Sequence, residues 1–160
     1  MIFGIGVDVL SQERVAKVFA KYGDHFIERL LLPQEAAQLA LTRRTERFLA
    51  MRFAAKEAIV KAMGTGFAHG VWIRDVGIAQ NAWGRPEVIY SARGDKVRRR
   101  LGVGAGFVTL TDEAGLIVAV AVLERAAPAS RPRAQRAAAR RAPAKRARAG
   151  KRSKRVRRTQ

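Results

Sequence analysis

The stretch "FAAKEAIVKAMGTG", residues 53–66, decides how this chain is read. Ala54, Ala55, Ala58, Ile59, Ala62 and Met63 recur at the spacing of one helical face, so the segment predicts an α-helix. Glu57, Lys61 and Gly64 fall on one line of that helix, at i, i+4 and i+7. Gly64 and Gly66, on either side of Thr65, follow as a helix C-terminal signal. An acid, a base and a flexible turn therefore point the same way. Taken alone, Glu57 and Lys61 are an ordinary surface pair worth about 0.2–0.5 kcal/mol. What lies elsewhere in the chain turns them into a candidate site.

The chain has 160 residues and a formal net charge of +19, distributed unevenly. From Ala126 to Gln160 there are 14 Lys and Arg and no Asp or Glu, which leaves 18 basic and 13 acidic residues in 1–125. The composition of residues 1–125 is that of one globular domain. Residues 126–160, rich in Ala, Arg, Lys and Pro, hold almost no large apolar side chains and cannot build a core. They read as a disordered basic tail kept extended by self-repulsion. With no cysteine, disulfides and thiol chemistry are excluded. The N-terminal "MIFGIGVDVL" lacks a basic leader and is interrupted by Asp8, so it does not read as a signal peptide. No apolar run approaches the roughly 20 residues of a spanning helix. The expectation is a cytoplasmic protein without a membrane span.

Working outward from the central helix, the pattern alternates. Residues 2–9 are rich in Ile and Val and predict a strand, with Gly4 and Gly6 allowing close backbone approach. Val15, Val18, Phe19 and Tyr22 predict a helix over 12–22. Pro33 opens a short helix through Leu41. The long helix is expected over Glu46–Met63, with Thr45 as N-cap. Val71, Ile73, Val76 and Ile78 suggest strand, residues 81–86 a turn, and Val88–Tyr90 another strand. Ser91 caps a helix to Leu101. "FVTLT" and "LIVAVAVLE" form a closing hairpin around residues 112–115. The second of these strands is apolar on both faces and is expected to be central and buried. Strands and helices interleave while the last pair is antiparallel, so the fold class is α+β.

Zinc chemistry finds no support: there is no cysteine, and His25 and His69 are isolated. No GxSxG, Walker A or GxGxxG pattern occurs, and "GVGAG" at 102–106 reads as a helix stop and connector. Carboxylates remain. Asp8 ends an otherwise apolar strand, where a buried unpaired acid is unfavourable. It faces solvent or has a partner such as a metal. Asp8 and Glu57, with basic neighbours, suit Mg²⁺ shared with a substrate phosphate. Arg52, Lys56 and Lys61 are placed to offset phosphate charge, and the Gly64–Gly66 amides to approach it.

"GIGVDV" at 4–9, "ER" at 13–14, "RFAAKEAIVKAMGTG" at 52–66, "WIRDVGI" at 72–78, "GRP" at 84–86 and "VTLTDEAGLIVAVAVLE" at 108–124 come in one order. In that order they resemble the bacterial holo-acyl-carrier-protein synthases, a branch of the 4′-phosphopantetheinyl transferase superfamily. The likeness covers about residues 1–125. It implies a largely antiparallel sheet packed on helices. It also implies a Mg²⁺-dependent transfer of 4′-phosphopantetheine from coenzyme A to a serine of apo-acyl carrier protein, in fatty acid biosynthesis, releasing adenosine 3′,5′-bisphosphate. Asp8 and Glu57 then resemble the metal ligands, and Lys61 is the third catalytic group. Arg52, Lys61 and Gly64 match positions that contact coenzyme A, with Thr65 and Gly66 in the same turn. Pro86 matches one lining its adenine end, and Arg14 resembles the basic residue that meets acidic carrier-protein side chains. Members are typically homotrimers whose sites lie between neighbours.

Two positions depart from the family. Asp112 stands where a histidine contacting coenzyme A is usual, and an acid there is expected to repel the nucleotide phosphates. Met51 replaces a usual glycine. The acceptor of the serine proton is left between a metal-bound water and Glu57. Two other readings are carried: a weakly active or inactive relative that binds carrier protein, and a nucleic-acid or polyanion-binding protein acting through the tail. The tail has no aromatic residue, so base stacking is absent from that reading.

Overall fold

Alanine is what lets helix α3 (Thr45–Met63) lie close against a sheet. Leu49, Ala50, Ala54, Ala55, Ala58, Ile59, Val60, Ala62 and Met63 are all buried along it. The approach is closest at strand β1 (Ile2–Ser11). A Cβ on Gly4 would lie 2.1 Å from the Ala62 carbonyl oxygen, and one on Gly6 2.0 Å from that of Ala58. Backbone packs on backbone there, and any larger residue would force the helix off the strand. The two glycines expected to permit close approach do so.

The computed structural model describes residues 1–127, which form one compact unit, Met1–Ala127. The expected disorder of the tail concerns residues that, from 128 on, lie outside the described ones. Within the unit the other elements are α1 (Gln12–Leu30), α2 (Pro33–Leu39), β2 (Val76–Gln80), β3 (Pro86–Tyr90), α4 (Ala92–Leu101), β4 (Val103–Glu113) and β5 (Leu116–Arg125). The five strands make one sheet in the order β1-β5-β4-β3-β2, every neighbouring pair antiparallel. The α+β expectation with a largely antiparallel sheet holds. No helix among the described residues is long and apolar enough to cross a membrane.

Element ends move in ways that local chemistry explains. The helix expected over 12–22 runs on to Leu30, but Gly23 breaks it with φ 50° and ψ −131°. Periodicity restarts after the glycine in a new frame. Residues 73–75 form a single 3-10 turn rather than strand, because Asp75 accepts the Trp72 amide and ties the backbone into a turn. Thr45 is the first helical residue rather than the cap; Arg44 precedes it without a side-chain capping bond. Strand β4 begins at Val103, so of "GVGAG" only Gly102, at φ 76°, ends a helix. The hairpin turn shrinks to Ala114 and Gly115.

Strand β5 is interior, between β1 and β4, as its apolar run predicts. Its α3-facing side chains Ile117, Ala119, Ala121 and Leu123 are fully buried. On the far face Val118, Val120 and Val122 are only half-buried. They align with Val9, Val7 and Ile5 of β1 and with Thr111, Thr109 and Phe107 of β4. This lattice of Val, Ile, Phe and Thr bears no charge, and Ile5, Val7, Val9 and Phe107 are 60, 49, 57 and 43% exposed.

Candidate active site

The carboxylates come together where β1 meets α3. Asp8 lies within β1, not at its end, and opposite Ala119 in register, so it faces the helix. Its side chain is only 12% exposed. Lys61 Nζ, one turn after Glu57, donates to Asp8 Oδ1 at 2.7 Å and to the Val7 carbonyl at 3.1 Å. Burial raises the Glu57 carboxyl above the usual glutamate range, and the negative charge of Asp8 raises it further; Lys61 and Arg14 act in the opposite direction. The four side chains therefore share one electrostatic site. Two hard carboxylates that disfavour each other's charge, with an ammonium beside them, suit a divalent cation bound with an anion. Among the described residues no third acidic or imidazole group joins them as a metal cluster.

The turn after α3 differs from expectation. Gly64 is left-handed at φ 73° and ends the helix, which only glycine does without strain. Yet its amide bonds back to Lys61, and those of Thr65 and Gly66 both reach the Val60 carbonyl at 3.2 Å. These N–H groups are committed to the helix end and do not form a phosphate cradle. What the turn leaves without a partner is the buried Thr65 hydroxyl.

Lys56 is also corrected. It is fully buried, turned toward α2 and β2 and not toward β1, and pairs with buried Glu35 of α2 at 2.7 Å. Its ammonium donates to the Val76 carbonyl at 2.6 Å, while Glu35 accepts the Leu32 and Ile78 amides. Burial lowers its pKa, against the opposing pull of Glu35. It knits α2, α3 and β2 and faces no phosphate.

Arg52 belongs to that side. Its guanidinium lies 4.0 Å above the Phe48 ring, donates to Gln38 Oε1 at 3.0 Å, and stands 3.9 Å from Glu35. Gln38 in turn bonds both the amide and the carbonyl of Gln80, whose register partner across the hairpin is Pro86. Arg52 and Pro86 therefore share a second corner, linked through Gln38 and Gln80. The sequence-derived site residues divide into two groups: Asp8, Glu57, Lys61 and Arg14 by the α3 turn, and Arg52 and Pro86 at the β2–β3 hairpin.

Asp112 does not present a bare negative charge. Arg47 grips it with both arms, Nε at 2.8 Å and Nη2 at 2.5 Å, and this holds its carboxyl below the usual aspartate range. The expected repulsion of phosphates is answered within the protein. Sequence reasoning missed Arg47, Glu35, Gln38 and Phe48. Only Phe48 had a signal, four residues before Arg52 on one helix.

A family model described as the 4′-phosphopantetheinyl transferase superfamily matches residues 4–121. The chain is 38% identical over 125 residues to a holo-[acyl-carrier-protein] synthase of Neisseria meningitidis serogroup A, covering 78% of this chain and all of that protein. To that of Acidithiobacillus ferrooxidans it is 39% identical over 127 residues, 78% of this chain and 98% of the other. The crystal structure of the synthase from Neisseria meningitidis superposes with a TM-score of 0.74 at 36% identity, over 78% of this chain and all of that one. A Bacillus anthracis synthase solved in complex with coenzyme A (3′,5′-ADP) superposes at 0.65 with 31% identity, over 79% and 99%.

Proposed function

Because the chain belongs to the 4′-phosphopantetheinyl transferase superfamily, we propose that Asp8, Glu57 and Lys61 are its reaction centre. The protein is a holo-[acyl-carrier-protein] synthase: it moves the 4′-phosphopantetheine arm of coenzyme A onto a serine of apo-acyl carrier protein. The observation that carries the site assignment is the Asp8–Lys61 bond, with Glu57 raised by burial and by Asp8.

The reaction attacks the pantetheine-side phosphorus of a pyrophosphate, so alignment and charge compensation dominate its barrier. Asp8 and Glu57 would hold Mg²⁺, whose role when bound is to neutralise the pyrophosphate oxygens. Lys61, fixed by the Val7 carbonyl, compensates the charge that builds on the leaving phosphate. The serine proton passes to Glu57 or to a water beside it. Gly64, Thr65 and Gly66 border the substrate here. Arg14 faces acidic side chains of the carrier protein.

The other corner requires a second copy. Arg52 and Pro86 belong to the nucleotide end of the site but are not among the partners of Asp8, Glu57 or Lys61. The uncharged outer sheet face is a surface of the kind that monomers rarely expose. In this reading three chains pack through that face, and Arg52 and Pro86 of one complete the Asp8 group of the next. An enzyme consuming coenzyme A and carrier protein works in the cytoplasm. The transferase domain is assigned to residues 1–125. The basic segment that follows adds polyanion affinity, on the strength of 14 positive charges and no acid. Anisotropy titration of a DNA duplex against the full chain and a chain ended at Ala127 tests it: equal affinity removes the idea.

The transfer itself is tested by incubating the protein with apo carrier protein, coenzyme A and Mg²⁺ and weighing the intact product. The carrier protein gains the phosphopantetheine mass with the native chain and not with Asp8→Ala or Glu57→Ala.

A further inference from the structure

Arg52 holds a positive charge with its side chain only 5% exposed, and burial lowers its pKa. Its Nε is buried without a hydrogen-bond partner. Even so, the residue lines a cavity of about 290 Å³ together with Arg44, Arg47 and Gln80. A guanidinium carries five N–H donors in one rigid plane, so what it can bind depends on how that plane is set. Phe48 lies under one face at 4.0 Å, which fixes the tilt but leaves rotation within the plane free. Gln38 Oε1 accepts from Nη2 at 3.0 Å and removes that freedom. Glu35, at 3.9 Å, is too far for a hydrogen bond and is engaged by Lys56 and by the Leu32 and Ile78 amides. Gln38 is itself keyed to the end of β2. Its Nε2 donates to the Gln80 carbonyl at 3.2 Å, and its Oε1 also accepts the Gln80 amide at 3.3 Å. Exchanging the two ends of the Gln38 amide would set donors against both the Gln80 amide and Arg52, so only one orientation serves all three bonds.

We propose that Gln38 is a positioning residue for Arg52: anchored to the end of β2, it holds the guanidinium in the plane in which its remaining donors meet an anionic oxygen of the substrate nucleotide. The inference rests on the reading of Arg52 as a coenzyme A contact and adds to it the residue that presents it. Gln38 is not part of the cavity lining. It acts from α2, through Arg52. Without it the guanidinium keeps its charge and the Phe48 ring, but its plane must be ordered when the nucleotide binds, and that ordering is subtracted from affinity. The nucleotide lies at the far end of coenzyme A from the transferred group, so the loss falls on KM and not on kcat.

The test is a double-mutant cycle in the full chain, read by calorimetric titration with coenzyme A and by steady-state kinetics. Gln38→Met keeps the length of the side chain and removes both its donor and its acceptor. It weakens coenzyme A binding by roughly 10-fold, the worth of about one hydrogen bond to a charged group, and raises KM by the same factor at unchanged kcat. In an Arg52→Ala chain the same substitution changes affinity by less than about twofold, because the group it positions is gone. Native affinity in Gln38→Met overturns the positioning role and leaves the transferase reading standing. So does an equal loss with and without Arg52, which would mean that Gln38 acts only by clasping α2 to β2. Native affinity in Arg52→Ala removes Arg52 from the nucleotide site and takes the inference with it. If the native chain does not bind coenzyme A at all, the transferase reading falls as well.

Discussion

Lys56 and Lys61 lie five positions apart, and their surroundings make them different chemical objects. Lys61 is 47% exposed and bonded to Asp8, whereas Lys56 has no exposed surface and serves Glu35. Lys61→Ala should therefore cut kcat by about 100-fold or more, the size of loss seen when one preorganised charge-stabilising donor is removed, with the circular dichroism spectrum unchanged. Asp112 requires the reverse caution. Its charge is already matched by both arms of Arg47. Asp112→His should then leave calorimetric coenzyme A affinity little changed, because the aspartate's charge is already matched and there is no repulsion to relieve. A clear gain in affinity would show that the aspartate acts on the nucleotide after all.

At the scale of elements, α3 has two working sides. One presents Glu57 and Lys61 to β1; the other buries Lys56 against α2 and β2. Breaking the buried pair by Lys56→Met strands the Glu35 carboxylate and should cost about 3–5 kcal/mol in urea unfolding. Asp75 joins the 3-10 turn to α4. Burial pushes its carboxyl up, but Arg93, the Trp72 amide and Ser91 together hold it below the usual aspartate range. Its folded pKa is thus depressed, so its stabilisation is present above the ordinary aspartate value and is lost as pH falls through the lowered one. Asp75→Asn should flatten the acid limb of the stability curve; an unchanged limb would remove Asp75 from the account. The elements themselves were legible because α3 and β5 follow simple periods and Gly4, Gly6 and Gly64 sit where backbones meet or turn. Glu35–Lys56 and Arg47–Asp112 were not, since their partners are brought together only by tertiary packing and a local pattern carries no trace of them. Likewise the Gly64–Gly66 amides looked available in sequence but are used by the helix end.

At the scale of the whole molecule, the proposed sharing of the two corners between neighbouring chains would make assembly part of catalysis. If three chains pack through the outer sheet face as proposed, Val120→Lys there should leave monomers by light scattering and abolish transfer without unfolding the chain. Complementation goes further. Asp8→Ala and Arg52→Ala chains, each inactive alone, should regain part of the activity when co-assembled, because mixed trimers contain interfaces with one intact group from each neighbour. No recovery from verified mixed trimers would place both groups in one subunit's site. The most direct test of the central claim remains the intact mass of carrier protein after incubation with coenzyme A and Mg²⁺. The native chain is predicted to add one phosphopantetheine, and Glu57→Gln, which keeps the shape and removes the charge, is predicted to add almost none. A carrier protein that keeps its apo mass with the native chain, or that is modified equally fast by Glu57→Gln, would contradict the account.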